Sequence, residues 1–190
     1  MTVLAAAITE KDGIVIAADS ELSYGAWSKE DGFPSKLWVD KEHGYIFGGC
    51  GTLREIQVLQ YHVEWPKFRP DEHELMKFAV TEIIPNVRTG VEDHGILSKS
   101  KGVETLESAF IMAWDKNLIG IYEDFSVVEG INGRIAMGSG YAEAYGALGE
   151  KGPWTKDNVI EAARRATLTA QGVGGDIYWV STKDLVVRKA

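Results

Sequence analysis

Strand-like and helix-like stretches of this chain fall into separate blocks, and that segregation limits the folds open to it. Residues 2–8 and 14–18 are short, apolar and partly β-branched, and the Asp12-Gly13 pair between them is a turn signal, so the chain opens on a predicted hairpin. Residues 20–34 are polar, aromatic and glycine-containing without a period and read as a long loop. Strands are predicted at 36–40 and 45–50. Leu53, Ile56, Leu59 and Val63 then recur at helical spacing, and a second helix is predicted over about 71–88, with Pro85 expected to kink or end it. Residues 90–102 read as a loop. Strands follow at 108–114, 118–122, 125–128 and 134–137, then helices at 140–148 and 156–170, the latter capped by Thr155 or Asp157. A hairpin over 176–181 and 185–188 closes the chain. Strands, two helices, strands, two helices, strands is an order that favours a layered α+β fold over a parallel βαβ sheet.

With 190 residues and no repeat, low-complexity tract or linker, the chain is expected to form one domain over 1–190. Twenty-eight acidic against 20 basic residues give a net charge of −8, which argues against a nucleic-acid partner. No apolar run approaches the roughly 20 residues of a membrane span. Cys50 is the only cysteine and cannot form an internal disulfide, and the N-terminus lacks the charged and apolar regions of a secretory signal. A cytoplasmic protein without a membrane partner is expected. Six tryptophans and seven tyrosines are compatible with an oligomer.

Thr2 stands directly behind Met1, so removal of one methionine would make it the terminus. A terminal threonine carries a nucleophilic hydroxyl and, in its own α-amine with an ordinary pKa of about 7.7 to 8.0, a base poised near neutral pH. Other chemistries fit less well. Gly138-x-Gly140 has Glu143 where a dinucleotide fingerprint needs its third glycine, and Met137 and Tyr141 occupy the glycine positions of a serine nucleophile elbow. His43, His62, His73 and His94 have no metal-ligand spacing, and neither metal nor cofactor is expected. Cys50 reads as a small buried residue rather than a reactive thiol.

Four motifs occur in order after Thr2: Gly13-Ile14-Val15-Ile16-Ala17-Ala18-Asp19, Ser35-Lys36-Leu37-Trp38-Val39, Ile46-Phe47-Gly48-Gly49-Cys50-Gly51 and Ala136-Met137-Gly138-Ser139-Gly140. This series resembles the proteasome β-subunit family. In length and in Gly175-Asp176-Ile177-Tyr178 it is closer to the bacterial protease HslV and to short proteasome-like proteins of bacteria and phages. The resemblance implies the four-layer αββα sandwich of the N-terminal nucleophile hydrolases. It also implies a threonine-type peptidase that forms an acyl-enzyme on Thr2.

By the same resemblance Lys36 is the charged group that favours the alkoxide, Asp19 holds that lysine, Gly48 gives an oxyanion N–H, and Ser139 bonds near the terminal amine. Leu22, Ile46 and Cys50 would line a substrate pocket of apolar preference. A ring-like homo-oligomer, a peptide or unfolded-protein substrate and an ATPase unfoldase partner are further implications. Two departures stand out. The Thr2-to-Asp19 spacing is one residue longer than in typical β-subunits, and the family's late Asp-x-x-Ser-Gly-Gly reads here Ala170-Gln171-Gly172-Val173-Gly174-Gly175, without the Asp or the Ser. A catalytically silent scaffold that retains Met1 is therefore the alternative, and an amidase acting on a small molecule is a third reading.

Overall fold

The computed structural model describes residues 1–24, 28–30 and 36–190. In chain order its strands and helices are β1 (Leu4–Ile8), β2 (Ile14–Asp19), β3 (Leu22–Tyr24), β4 (Ser28–Glu30), β5 (Leu37–Asp40), β6 (Tyr45–Cys50), α1 (Leu53–Tyr61), α2 (Leu75–Phe78), a π-turn (Ala79–Ile83), α3 (Ile84–Asp93), β7 (Ser98–Ser100) and β8 (Val103–Thr105). There follow β9 (Ala109–Trp114), β10 (Asn117–Ile121), β11 (Val127–Glu129), β12 (Arg134–Met137), α4 (Tyr141–Leu148), α5 (Lys156–Thr169), β13 (Ile177–Ser181) and β14 (Arg188–Lys189). The expected α+β class holds. One antiparallel sheet runs β12-β1-β2-β13-β14 and a second runs β11-β10-β9-β6-β5.

The central strands of both sheets are buried on both faces, whereas the edge strands β11 and β14 are largely exposed, and strand alternation sorts the side chains. Along β1 and β2, Leu4, Ala6, Ile14 and Ile16 point into a core shared with Ile46 and Ile111 of the second sheet, while Ala5, Ala7, Val15 and Ala17 face α4 and α5. In β9, Ile111 joins the shared core, whereas Phe110, Met112 and Trp114 face α1 and α3. Burial on both faces explains why these strands read as unbroken apolar runs rather than as alternating patterns.

Several sequence expectations change. The expected loop 20–34 contains the antiparallel pair β3–β4, its residues 25–27 and 31–34 lying outside the described ones, and the closing strand expected at 185–188 is confined to Arg188–Lys189. The second helix does not stop at Pro85 but runs on to Asp93, because the π-turn ahead of it shifts the bonding register, with Ile84 N–H donating to the carbonyl of Ala79. Residues 90–102 are not a single loop. Gly90 lies buried inside α3 against Val63, and 98–105 form the β7–β8 hairpin, turned at Lys101 and Gly102 with φ of 52° and 82°. At α5 the cap is Thr155, whose hydroxyl accepts from the Asn158 N–H at 3.2 Å while Asn158 Oδ1 accepts from the Thr155 N–H at 2.9 Å.

Candidate active site

The β1–β2 register sets Leu4 opposite Ala18, which brings Asp19, the last residue of β2, level with Val3 and one step from Thr2. Asp19 is 1% exposed, a costly place for a carboxylate unless its oxygens are bonded. They are. Oδ1 accepts from the Val3 N–H at 2.9 Å and from Lys36 Nζ at 2.8 Å, and Oδ2 accepts from the Gly174 N–H at 3.2 Å.

Lys36 is held just ahead of β5, where its carbonyl accepts from the Gly49 N–H of β6 at 2.9 Å. Its ammonium also donates to the Met1 carbonyl oxygen at 3.0 Å. Burial lowers the Lys36 pKa from its ordinary range, and the neighbouring Asp19 carboxylate opposes that effect.

Thr2 is 6% exposed and is clamped from the turn between β12 and α4. Its N–H donates to Ser139 Oγ at 3.2 Å, and its carbonyl accepts from Ser139 Oγ at 3.3 Å and from the Gly140 N–H at 3.2 Å. Gly138 makes this approach possible. Its φ is +84°, and a Cβ at that position would collide with the Thr2 carbonyl oxygen.

Thr2, Asp19, Lys36 and Ser139 are thus brought together from four separate parts of the chain. Gly48 lies within β6 between Leu37 of β5 and Ile111 of β9, and a Cβ there would press on Ile16, Leu37 and Leu4 at 3.0 to 3.2 Å, so its missing side chain serves the close approach of the two sheets. A cleft of about 560 Å³ opens beside Thr2, with Cys50, Gly51, Ala109, Tyr122, Glu123 and Met137 among its walls.

Of the three residues expected to form a pocket, Cys50 alone lines this cleft among the described residues. Ile46 is fully buried between the sheets, and Leu22 is half-buried at the head of β3. The Cys50 thiol lies 3.4 Å from the Ala109 carbonyl, and burial pushes its pKa up to about 11, which keeps it protonated and unreactive near neutral pH. Tyr122 and Glu123 escaped sequence reasoning, since nothing in a strand end marks a cleft wall. Glu21 carried a usable signal: it lies two residues beyond Asp19 and therefore on the same side of an extended chain.

A positive charge beside the Met1–Thr2 peptide, a buried carboxylate that holds it and a hydroxyl one bond away form an arrangement able to polarise a carbonyl or stabilise an alkoxide. The solved structures of similar shape decide what fold presents it. BPH of Thiobacillus denitrificans in complex with epoxomicin superposes with a TM-score of 0.73 at 18% identity, over 100% of this chain and 98% of that one. An Anbu (Gly-1) mutant from Hyphomicrobium sp. strain MC1 gives 0.70 at 16% identity, over 100% and 87%. Eukaryotic HslV from Trypanosoma brucei gives 0.61 at 14% identity, over 94% and 99%.

The chain has the proteasome-like fold. No family model and no curated protein matches its sequence. Among the described residues, no helix of this proteasome-like chain is long and apolar enough to cross a membrane.

Proposed function

We propose that this protein is a threonine-type peptidase of the proteasome and HslV kind, cleaving peptide bonds through an acyl-enzyme on Thr2 after removal of Met1. The observation that carries the reading is the position of Lys36, whose ammonium is bonded both to Asp19 and to the carbonyl immediately ahead of Thr2. Once Met1 is gone, the Thr2 nitrogen held by Ser139 becomes an amine. That amine takes the hydroxyl proton as Thr2 Oγ attacks the substrate carbonyl, and the leaving amine departs with a proton. Water then hydrolyses the ester. Lys36, kept charged by Asp19, favours the anionic oxygen throughout. The oxyanion donor is a backbone N–H of β6, at Gly48 or at Cys50–Gly51, the end of the strand that reaches the cleft.

The same reading takes residues 1–190 as one domain. It treats the three cores as the interfaces of a four-layer αββα sandwich, and it places the chain in a cytoplasmic, ring-like homo-oligomer that receives peptide or unfolded protein, with an ATPase unfoldase as partner. BPH was solved with epoxomicin bound, which supplies the probe. Intact mass of the recombinant protein should show loss of one methionine, and incubation with epoxomicin should add its mass to the peptide that begins at Thr2. A processed chain with neither adduct nor peptide turnover would sink the proposal.

A second reading, a catalytically silent proteasome-like scaffold, draws on the fit of Met1 itself. Its carbonyl is taken by Lys36, and its thioether end lies against Gly172, where a Cβ would collide with it. Retention of Met1 in the purified protein supports that reading.

A further inference from the structure

Beyond the Asp19–Lys36 pair, two carboxylates lie near the chain terminus: Glu123, exposed on the cleft wall, and a second one that is buried. Two cations meet there, the N-terminal amine and the Lys36 ammonium, and Asp19 is a single carboxylate. Lys36 and Asp19 are buried while Met1 is half exposed, so two positive charges against one negative would leave an excess positive charge that water screens only in part. The fourth charge is Glu21, 4% exposed, in the link between β2 and β3.

The placement of Glu21 is tightly fixed. Its N–H donates to the Gly174 carbonyl at 3.0 Å, one of three bonds that join 19–21 to 174–176. The others run from the Gly174 N–H to Asp19 Oδ2 at 3.2 Å and from the Asp176 N–H to Ser20 Oγ at 2.9 Å. Residue 174 must be small on this account, because a Cβ there would strike Glu21 Oε2. The glycines of the 172–175 segment therefore leave room on one side for Met1 and on the other for this carboxylate.

We propose that Glu21 is a positioning residue of the site. Its buried carboxylate, together with that of Asp19, balances the terminal and Lys36 ammonium groups, fixes where the amine lies and governs how much of it is free base at neutral pH. The catalytic consequence rests on the reading of Thr2 as nucleophile, but the charge balance does not.

The electrostatics agree with the geometry. In the chain that retains Met1, burial and then Lys36 lower the pKa of the Met1 amine, while Asp19 and Glu21 both oppose that drop, and Glu21 acts in the same direction on Lys36. The titratable groups acting on the amine are Lys36 ahead of β5, Asp19 of β2, Glu21 and, at the end of β6, Cys50. Cys50 stays a neutral thiol across the relevant range, because burial holds its pKa near about 11.

The test measures the amine directly. The purified full chain, its first residue fixed by intact mass, is treated with trace acetic anhydride across a pH series, and acetylation of the N-terminal peptide is quantified by mass spectrometry. Removing a nearby negative charge makes the protonated amine less favourable, so in Glu21→Gln the labelling midpoint should fall by at least about half a pH unit. Gly174→Ala, at a position whose backbone needs no positive φ, crowds the carboxylate away and should move the midpoint in the same direction. If Glu21→Gln does not fold, Gly174→Ala decides. A folded variant whose midpoint matches the wild type overturns the proposal.

Turnover plays no part in this measurement, so a chain that never cleaves a peptide can still pass or fail it. In a processed, active enzyme Glu21→Gln should also lower kcat several-fold at unchanged KM and move the acid limb of the pH profile to lower pH. A wild type without turnover would count against the peptidase reading alone.

Discussion

Beneath α4 and α5 the packing is made of alanine, whereas beneath α1 and α3 it is made of aromatic rings. Of the sixteen buried residues in the first cluster, eight are alanine: Ala5, Ala7, Ala17, Ala136, Ala144, Ala162, Ala163 and Ala166. The second holds Trp38, Tyr45, Phe47, Phe78, Phe110 and Trp114, with Trp65 and Phe68 packed against it. Small side chains let a helix sit close on a sheet. Here the closeness has a local purpose, because a Cβ on Gly140 would come within 2.9 Å of Val3 and 3.1 Å of Ala166, and the turn carrying Ser139 is thereby pressed onto Thr2. The aromatic cluster contributes bulk and stability but no residue of the Thr2 site. The two cores should therefore respond differently to damage.

The largest effect is expected at the site that the alanine core positions. Lys36→Met removes the ammonium without removing side-chain volume and should slow epoxomicin adduct formation at Thr2 by at least about 10²-fold, the low end of what a positioned catalytic group contributes. An adduct rate near wild type would separate the charge pair from the chemistry. Next comes Phe110→Ala in the aromatic core, where loss of a fully buried ring should cost about 3 to 5 kcal/mol in urea unfolding. The folded fraction should still react with epoxomicin at the wild-type rate. Ala166→Leu reverses that balance: overpacking should cost only about 1 to 3 kcal/mol, yet it pushes on Gly140 and should slow the adduct several-fold. If Phe110→Ala slows the chemistry more than Ala166→Leu does, the division of labour between the cores is refuted.

Most of the fold was legible because both cores depend on patterns that a sequence displays. The β1–β2 hairpin, the strands around Asp115-Lys116-Asn117 and the helix from Lys156 all lie where apolar runs and turn residues put them. What escaped was decided by three-dimensional bonding. Pro85 looks like a helix breaker in one dimension, but the π-turn before it re-registers the backbone, and Gly90 looks like a loop although Val63 needs its missing Cβ. The site divides along the same line. Asp19, Lys36, Gly48 and Ser139 stand in short motifs, whereas only the packing shows that Gly48 also lacks a side chain where the two sheets approach each other. Glu21 could have been seen from its spacing to Asp19, but its meaning depends on Gly174, 153 residues later in the chain.

The smallest expected effect tests whether the alanine core acts on the site through contact or only through overall stability. Thr155→Ala removes the hydroxyl half of the capping box at the start of α5, leaving the Asn158 N–H only the Thr155 carbonyl, at 3.1 Å, as acceptor. Loss of an N-cap typically costs about 1 kcal/mol, and the exposed position lets water take over part of the lost bonding. The substitution lies at the far end of α5 from Ala166 and changes no residue packed against Gly140. Urea unfolding should therefore report a loss of about 1 kcal/mol while the rate of epoxomicin labelling stays at the wild-type value. If labelling slows in step with stability, α5 transmits any weakening to the Ser139 turn, and the slow reaction of Ala166→Leu could no longer be ascribed to its contact with Gly140.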